Sequence, residues 1–389
     1  MSGPPTPEQV REAQRMIAGR LPPTPLIRAP GLSAQTGADV WLKCECFAPI
    51  GSFKARGALV GVLRLAPEQL ARGLICASTG NHGAALAWAA TEAGARCVVV
   101  VPHNTPDIKR RNMRAAGGEV ITAGGDWGES CLIARATAER ESLLYVEDGE
   151  DPWIMAGAGT VALEILEQRP EIDAMIIPVG GGNLIAGCGI VSKDAMRPIS
   201  LIGVQSAAAP AVTESFHLGR IVHRPTTSFA GGVATTGPVP MAFEAMKRLV
   251  DDMLLVSEDE LMGAIARLID DHAIIVEGAG AAPIAALLRY PERFAGRQVA
   301  LILSGRNLER ERVAMAISPQ PSRRHVTTFT TKAQRHKENT LCLCVLVVEV
   351  VRDHIPAQTS NAISSSASRT AWRVQSRCVH SAAATSSPA

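Results

Sequence analysis

The chain has 389 residues, of which 47% are hydrophobic and 4% aromatic, and its formal net charge is +2. That length admits two domains or one large one, and the excess of Ala, Val, Ile, Leu and Gly suits helices packed on a buried parallel sheet. Residues 318–389 hold 9 Lys/Arg against 3 Asp/Glu, which leaves 30 against 34 and a net charge of −4 before them; with no basic stripe and no apolar run beyond about half a bilayer span, neither nucleic acid nor membrane is an expected partner.

In chain order, the N-terminal stretch MSGPPTPEQVREAQRMIAGR lacks an apolar segment and is not expected to be a signal peptide. Short apolar, β-branched runs predict strands at Val40–Cys44, Leu74–Ala77, Cys97–Val101, Glu119–Thr122 and Leu143–Val146, then at Ala174–Pro178, Leu201–Val204, Met253–Val256 and Val299–Leu303. Between them, helical patterns run over Asn81–Ala93, Pro106–Ala116, Glu129–Arg140, Thr160–Gln168, Asp259–Asp271 and Gly280–Leu288. Strands apolar on both faces and separated by helices indicate an α/β fold with parallel sheets. The nine cysteines form no CxxC pair and no regular framework, which reads as buried free thiols in a reducing cytosol. The pattern stops near Ile317. Ser318–Ala389, rich in Ser, Thr, Ala and Arg, reads as a poorly ordered or adventitious tail, with a small regulatory domain as the alternative. Its one apolar run, Leu341–Val351, would be an aggregation hazard if exposed.

Four segments carry residues suited to chemistry. Gly51-Ser52-Phe53-Lys54-Ala55-Arg56-Gly57-Ala58 places a lysine in the first turn of a helix, where a cation is disfavoured. A partly buried lysine makes a competent amine nucleophile, but taken alone this one reads as an ordinary surface residue. Ser78-Thr79-Gly80-Asn81-His82-Gly83 follows a buried strand and opens a helix, so it is either an anion site or a capped helix. Gly180-Gly181-Gly182-Asn183-Leu184 lets the backbone wrap closely around a phosphate, or makes a tight turn. It is neither a Walker loop nor a GxGxxG fingerprint, which disfavours ATP and NAD. Ser304-Gly305-Arg306-Asn307 ends a buried strand and could be a simple turn. In open α/β sheets, ligands collect at such carboxyl ends.

In order and spacing, these segments resemble the fold-type II pyridoxal phosphate (PLP) enzymes of the threonine dehydratase and serine racemase group, from Thr24 to Asn307. Further marks are Thr24-Pro25-Leu26, Lys43-Cys44-Glu45, Ala156-Gly157-Ala158-Gly159-Thr160, Gly203-Val204-Gln205 and Glu277-Gly278-Ala279-Gly280-Ala281. The resemblance implies a tryptophan synthase β-like fold of two three-layer αβα domains with the cofactor in the cleft between them. It divides the chain into a large PLP-binding domain (1–73 and 154–317) and a small one (74–153). It implies a Schiff base on Lys54, Phe53 beside the cofactor ring and Asn81 on the ring hydroxyl. Gly180, Gly181, Gly182, Asn183 and Leu184 would hold the phosphate, and Ser304 would meet the pyridine nitrogen. Ser78, Thr79, Gly80, Asn81 and His82 would bind the substrate carboxylate. Lys54, freed by the substrate amine, would take the Cα proton, and loss of the β-hydroxyl would give a 2-oxo acid and ammonia. A hydroxyl at Ser304 makes a weaker electron sink than a carboxylate would, which favours elimination over transamination.

The sequence also departs from that pattern. Asn183 stands at the usual fourth glycine, and Arg306 replaces a glycine, to meet an anionic substrate group or point to solvent. Thr79 occupies the place of the racemase's second acid/base serine, so it is a second catalytic candidate. Gln205 and Ala207-Ala208-Ala209 lack the acidic metal ligands, so no divalent metal is expected there. Gly231 and Ala158 replace residues usual around the substrate. The expected activity is that of an ammonia-lyase acting on a small hydroxy-amino acid such as threonine or serine, in a cytoplasmic homodimer. The alternatives are a racemase or β-replacing synthase of the same fold, or an inactive PLP-binding homologue. Dehydratases of ectoine and hydroxyectoine degradation share a similar overall pattern.

Overall fold

In the computed structural model the described residues are 3–147, 149–318, 328–329, 345–350 and 372–377, the last three as backbone only. Residues 1–317 form one compact unit and 318–389 another.

In chain order the first unit opens with α1 (Pro7–Ile17), started by a Thr6/Gln9 capping box and Pro7. Then come β1 (Leu26–Arg28), α2 (Pro30–Thr36), β2 (Asp39–Lys43), α3 (Lys54–Leu63) and α4 (Pro67–Arg72). Next are β3 (Leu74–Ala77), α5 (Asn81–Glu92), β4 (Cys97–Val101), α6 (Asp107–Ala115), β5 (Glu119–Thr122), α7 (Trp127–Glu141) and β6 (Leu144–Tyr145). After them run α8 (Pro152–Gln168), β7 (Ala174–Pro178), α9 (Asn183–Asp194), β8 (Ser200–Ser206), α10 (Ala211–Leu218) and α11 (Pro240–Leu249). The unit ends with β9 (Asp252–Val256), α12 (Glu258–His272), α13 (Gly278–Arg289), β10 (Gln298–Ile302) and α14 (Arg310–Ile317).

Two sheets result. One has six strands in the order β1-β2-β10-β7-β8-β9, and the other has four in the order β5-β4-β3-β6. Every pair is parallel except β1 with β2. The central strands β3, β4 and β7 are buried at every residue, the expected state of parallel strands covered on both faces. One core, built from α1, α3, α5, α8 and α9, runs along a face of both sheets. A second packs α2, α12 and α13 on the other face of the six-stranded sheet, and a third packs α7 on the other face of the four-stranded one. Each sheet is thus the middle of three layers, and α3 packs against both α8 and α5.

The helix expected at Thr160–Gln168 begins at Pro152, capped by Asp151. Gly157 and Gly159, which precede the expected helix, lie inside α8. A Cβ on Gly157 would stand 2.7 Å from the Gly57 Cα of α3, and one on Gly159 would stand 2.7 Å from the Gly187 oxygen of α9. These glycines let three helices touch backbone to backbone.

In the second unit, β11 (Thr328–Phe329) and β13 (Trp372–Arg377) each pair antiparallel with β12 (Val345–Val350), which falls within the apolar run Leu341–Val351. The rest of the expected tail lies outside the described residues.

Candidate active site

Lys54 opens α3, and the chain folds back sharply just before it: Ile50 and Gly51 have φ of 58° and 70°. Positive φ is costly for a β-branched residue, on the order of 1–3 kcal/mol, so its surroundings must hold it. They do. The Asn307 side-chain amide donates to the Ile50 carbonyl at 2.9 Å, and the Arg306 N–H donates to the Gly51 carbonyl at 2.9 Å. The Phe53 N–H donates to the Ser304 carbonyl at 3.0 Å, beside an isolated bridge between Ser52 and Gly305. Backbone bonds therefore lay the Lys54 loop against the turn that follows β10. The Lys54 Nζ lies 5.5 Å from the centroid of the Phe53 ring.

A buried ionic network fixes the same helix turn from behind. Arg56 donates to Glu45 at 2.7 and 2.9 Å, to Glu164 at 2.6 and 2.8 Å, and to the Thr160 hydroxyl at 3.1 Å. Lys43 donates to Glu164 at 2.6 Å and to the Thr24 carbonyl at 2.9 Å. Burial pushes Lys43 down despite Glu45 and Glu164, whereas Arg56 and Lys43 hold Glu164 below its ordinary value against its own burial. Two cations and two carboxylates balance with none of the four exposed.

Asn81 begins α5 at the carboxyl end of β3. Its Nδ2 donates to Glu277 Oε1 at 2.8 Å, and its Oδ1 accepts from Asn307 Nδ2 at 2.7 Å. Glu277, just ahead of α13, is partly buried. Burial pushes its carboxyl up to about 7, against the pull of Lys109 and of the Asn81 N–H. Ser78 is buried, and its oxygen accepts from the N–H groups of Gly80 and Gly83 at 3.3 and 3.0 Å, so it fastens the turn. His82 is buried and Thr79 exposed.

The glycines after β7 meet a second wall. A Cβ on Gly180 would stand 2.4 Å from the Gly232 oxygen, one on Gly181 2.9 Å from Val239 Cγ2, and one on Gly182 2.7 Å from the Met246 sulfur. Gly182 has a φ of 107° and lends α9 no side-chain cap, and neither do Asn183 and Leu184, which open the helix. First-turn N–H groups of a helix have no intrahelical acceptor, so this end can receive an anion. Two buried polar atoms flank it without a partner, Thr235 Oγ1 and Asn183 Oδ1.

These contacts join the expected segments. The loop at Gly180 meets Gly232, whose own Cβ would stand 3.4 Å from Glu277 Oε1; Glu277 binds Asn81 and crowds Gly305; and Ser304 binds Phe53 beside Lys54. Arg306 is exposed, and its side chain lies along Gly51, where a Cβ would stand 2.9 Å from its Cγ. Gln205 is fully buried, accepting from the N–H and hydroxyl of Thr213 at 2.8 and 3.1 Å, so it serves as a cross-link between β8 and α10. Among the described residues, no group of three or more His, Cys, Asp or Glu could hold a metal ion. Likewise, no helix among them is long and apolar enough to cross a membrane. Glu277, Asn307 and Thr235 are the site residues to which sequence reading gave no role. Glu277 and Asn307 stood inside quoted motifs, while Thr235 carried no signal at all.

Residues 17–305 match the family described as "Pyridoxal-phosphate dependent enzyme". The chain belongs to that family. It is 35% identical over 309 residues to an L-threonine ammonia-lyase of Geobacter sulfurreducens, covering 79% of this chain and 77% of the relative. Among solved structures it resembles maize serine racemase, with a TM-score of 0.77, 28% identity and coverage of 81% and 97%. It also resembles the processed form of threonine deaminase isoform 2 from Solanum lycopersicum, with a TM-score of 0.75, 32% identity and coverage of 81% and 89%. The fold is that of the fold-type II PLP enzymes, and the cofactor is pyridoxal phosphate. The residues present fit it: the loop at Gly180–Gly182 has no room for a Cβ, and the unpartnered Thr235 hydroxyl lies beside that loop.

Proposed function

We propose that this protein is a PLP-dependent ammonia-lyase that eliminates water from a small hydroxy-amino acid such as threonine or serine; hydrolysis of the resulting enamine takes a water back and releases ammonia, leaving a 2-oxo acid. One observation carries the reading: a glycine cradle, an oriented amide and a strand-end hydroxyl (not a carboxylate) are joined by direct contacts to the loop that presents Lys54. The 35% identity to a threonine ammonia-lyase supports it.

The roles follow from the chemistry of each group. The Lys54 amine would hold the cofactor and, once free, would take the proton from Cα. Gly180 to Leu184 offer backbone N–H groups to the phosphate, joined by the Thr235 hydroxyl. Phe53 would flank the ring, and Asn81 would give its second N–H to the ring hydroxyl. Ser304 offers a hydroxyl to the ring nitrogen. The turn from Ser78 through Thr79, Gly80 and Asn81 to His82 takes the substrate carboxylate at the start of α5. When bound, the cofactor supplies the conjugated sink that makes the Cα proton acidic.

Thr79 gives a racemase its best support, because it is a hydroxyl-bearing residue exposed in that turn. The reading takes residues 74–153, which hold the four-stranded sheet, as the small domain and residues 1–73 with 154–317 as the large one. It extends by resemblance to a cytoplasmic homodimer. The free, mostly buried thiols among the described residues suit a reducing compartment.

The test is a panel of amino acids scored for 2-oxo acid, ammonia and inverted enantiomer. Threonine or serine should give 2-oxo acid and ammonia in equal amounts; appearance of the enantiomer alone overturns the lyase reading. Lys54→Ala should abolish both the visible absorbance of bound cofactor and turnover, and retained turnover would remove Lys54 from its role.

A further inference from the structure

Glu277 stands where α13 would be capped, yet its side chain makes no cap bond. Glutamate is not among the favoured N-cap residues, so the helix does not account for it. Its Oε1 reaches across to the Asn81 side chain of α5 instead, at 2.8 Å. Two glycines leave it room: a Cβ would stand 2.7 Å from Oε1 on Gly305 and 3.4 Å from it on Gly232. On the other side of Asn81, the Asn307 amide donates to Oδ1 at 2.7 Å while also donating to the strained Ile50 carbonyl at 2.9 Å. Turning the Asn81 amide over would set N–H against N–H and oxygen against carboxylate, and both bonds would be lost. Its orientation is fixed, with one N–H of Nδ2 given to Glu277 and the other left for a bound group.

We propose that Glu277 is a positioning residue: it holds the Asn81 amide in the one orientation that presents an N–H to the cofactor, and its ionisation sets how firmly that N–H is presented. The proposal rests on the reading of Asn81 as a cofactor-holding residue. Burial has brought the carboxyl into the neutral range, at about 7. The charges that bear on it are Lys109 of α6, which pulls it down, and Glu309, which pushes it up and pairs with Lys109 at 3.3 Å. The elements packed around it also carry His82 beside Asn81, Arg306 in the turn after β10, Lys54 at the start of α3, and Arg312 stacked on Phe229.

The experiment records the visible absorbance of bound cofactor against pH in the reconstituted holoenzyme. The wild type should show a one-proton change centred near 7. Glu277→Gln, which keeps an acceptor but carries no charge, should lose that change across the neutral range. Lys109→Met leaves the Glu277–Asn81 contact intact but removes the pull on the carboxyl, so it should move the midpoint up by about half a pH unit. It also tests the proposal should the glutamine variant fail to fold. A wild-type titration in Glu277→Gln, or an unmoved midpoint in Lys109→Met, overturns the proposal. Lys54→Ala separates the two levels: a visible band that survives it overturns the site itself. A band that vanishes there while Glu277→Gln titrates like the wild type overturns only the role of Glu277.

Discussion

A methyl group at Gly180 would stand 2.4 Å from the Gly232 carbonyl oxygen, a backbone atom that cannot swing aside. Gly180→Ala must therefore push apart the two walls of the proposed phosphate site. We expect cofactor affinity to fall more than about tenfold, roughly 1.4 kcal/mol, in an absorbance titration; unchanged affinity would mean that the phosphate sits elsewhere. Glu277 makes a second prediction, for stability. Its folded pKa, about 7, lies above the ordinary 4.5, so the folded state binds the proton more tightly than the unfolded chain does. That contribution is fully present below 4.5 and is lost as the pH rises through about 7. Raising the pH from acid to mildly alkaline should thus lower the melting temperature of the cofactor-free wild type more than that of Glu277→Gln, and parallel curves would show that the carboxyl titrates normally. Lys54, Asn81 and the glycines were singled out only through the order and spacing of their segments, since each taken alone reads as an ordinary surface, capping or turn residue. Glu277 was not, because its partner Asn81 is 196 residues away and its environment exists only once the two sheets are folded.

The element that presents Lys54 is held less by its own propensity than by charge. Most of α3 is buried, Arg56 included, so the guanidinium depends on Glu45, Glu164 and the Thr160 hydroxyl for what water would otherwise supply. Replacing it by Met fills part of the volume but leaves two carboxylates facing one lysine. The expected loss is about 3–5 kcal/mol, seen as a lower urea midpoint with an unchanged slope. An unchanged midpoint in Arg56→Met would show that the network is dispensable. Helix boundaries were the weakest part of the sequence reading for a related reason. Gly157 and Gly159 belong to α8 because Gly57 and Gly187 need them to be small, and nothing in the run Ala156–Thr160 distinguishes a helix glycine of that kind from a turn.

For the whole molecule, the alternation of strands and helices was legible because parallel strands buried on both faces leave uninterrupted apolar runs such as Cys97–Val101 and Ala174–Pro178. The strand order was not. The last strand of the first unit, β10, inserts between β2 and β7, and β1 is a three-residue antiparallel edge; no local pattern specifies either. The same topology yields the last prediction. Among the described residues, both sheets of the first unit are built wholly from strands that precede Ile317. The family match ends at residue 305, and the described site residues all precede Ile317. The proposed chemistry therefore calls on no described residue beyond Ile317. A chain ending at Ile317 should keep the melting temperature, cofactor affinity and turnover of the full chain. It should also aggregate less, because the apolar run Leu341–Val351 goes with the deletion. A loss of turnover with cofactor affinity intact would instead make the second unit part of the enzyme's working structure, and the comparison needs only the two purified chains side by side.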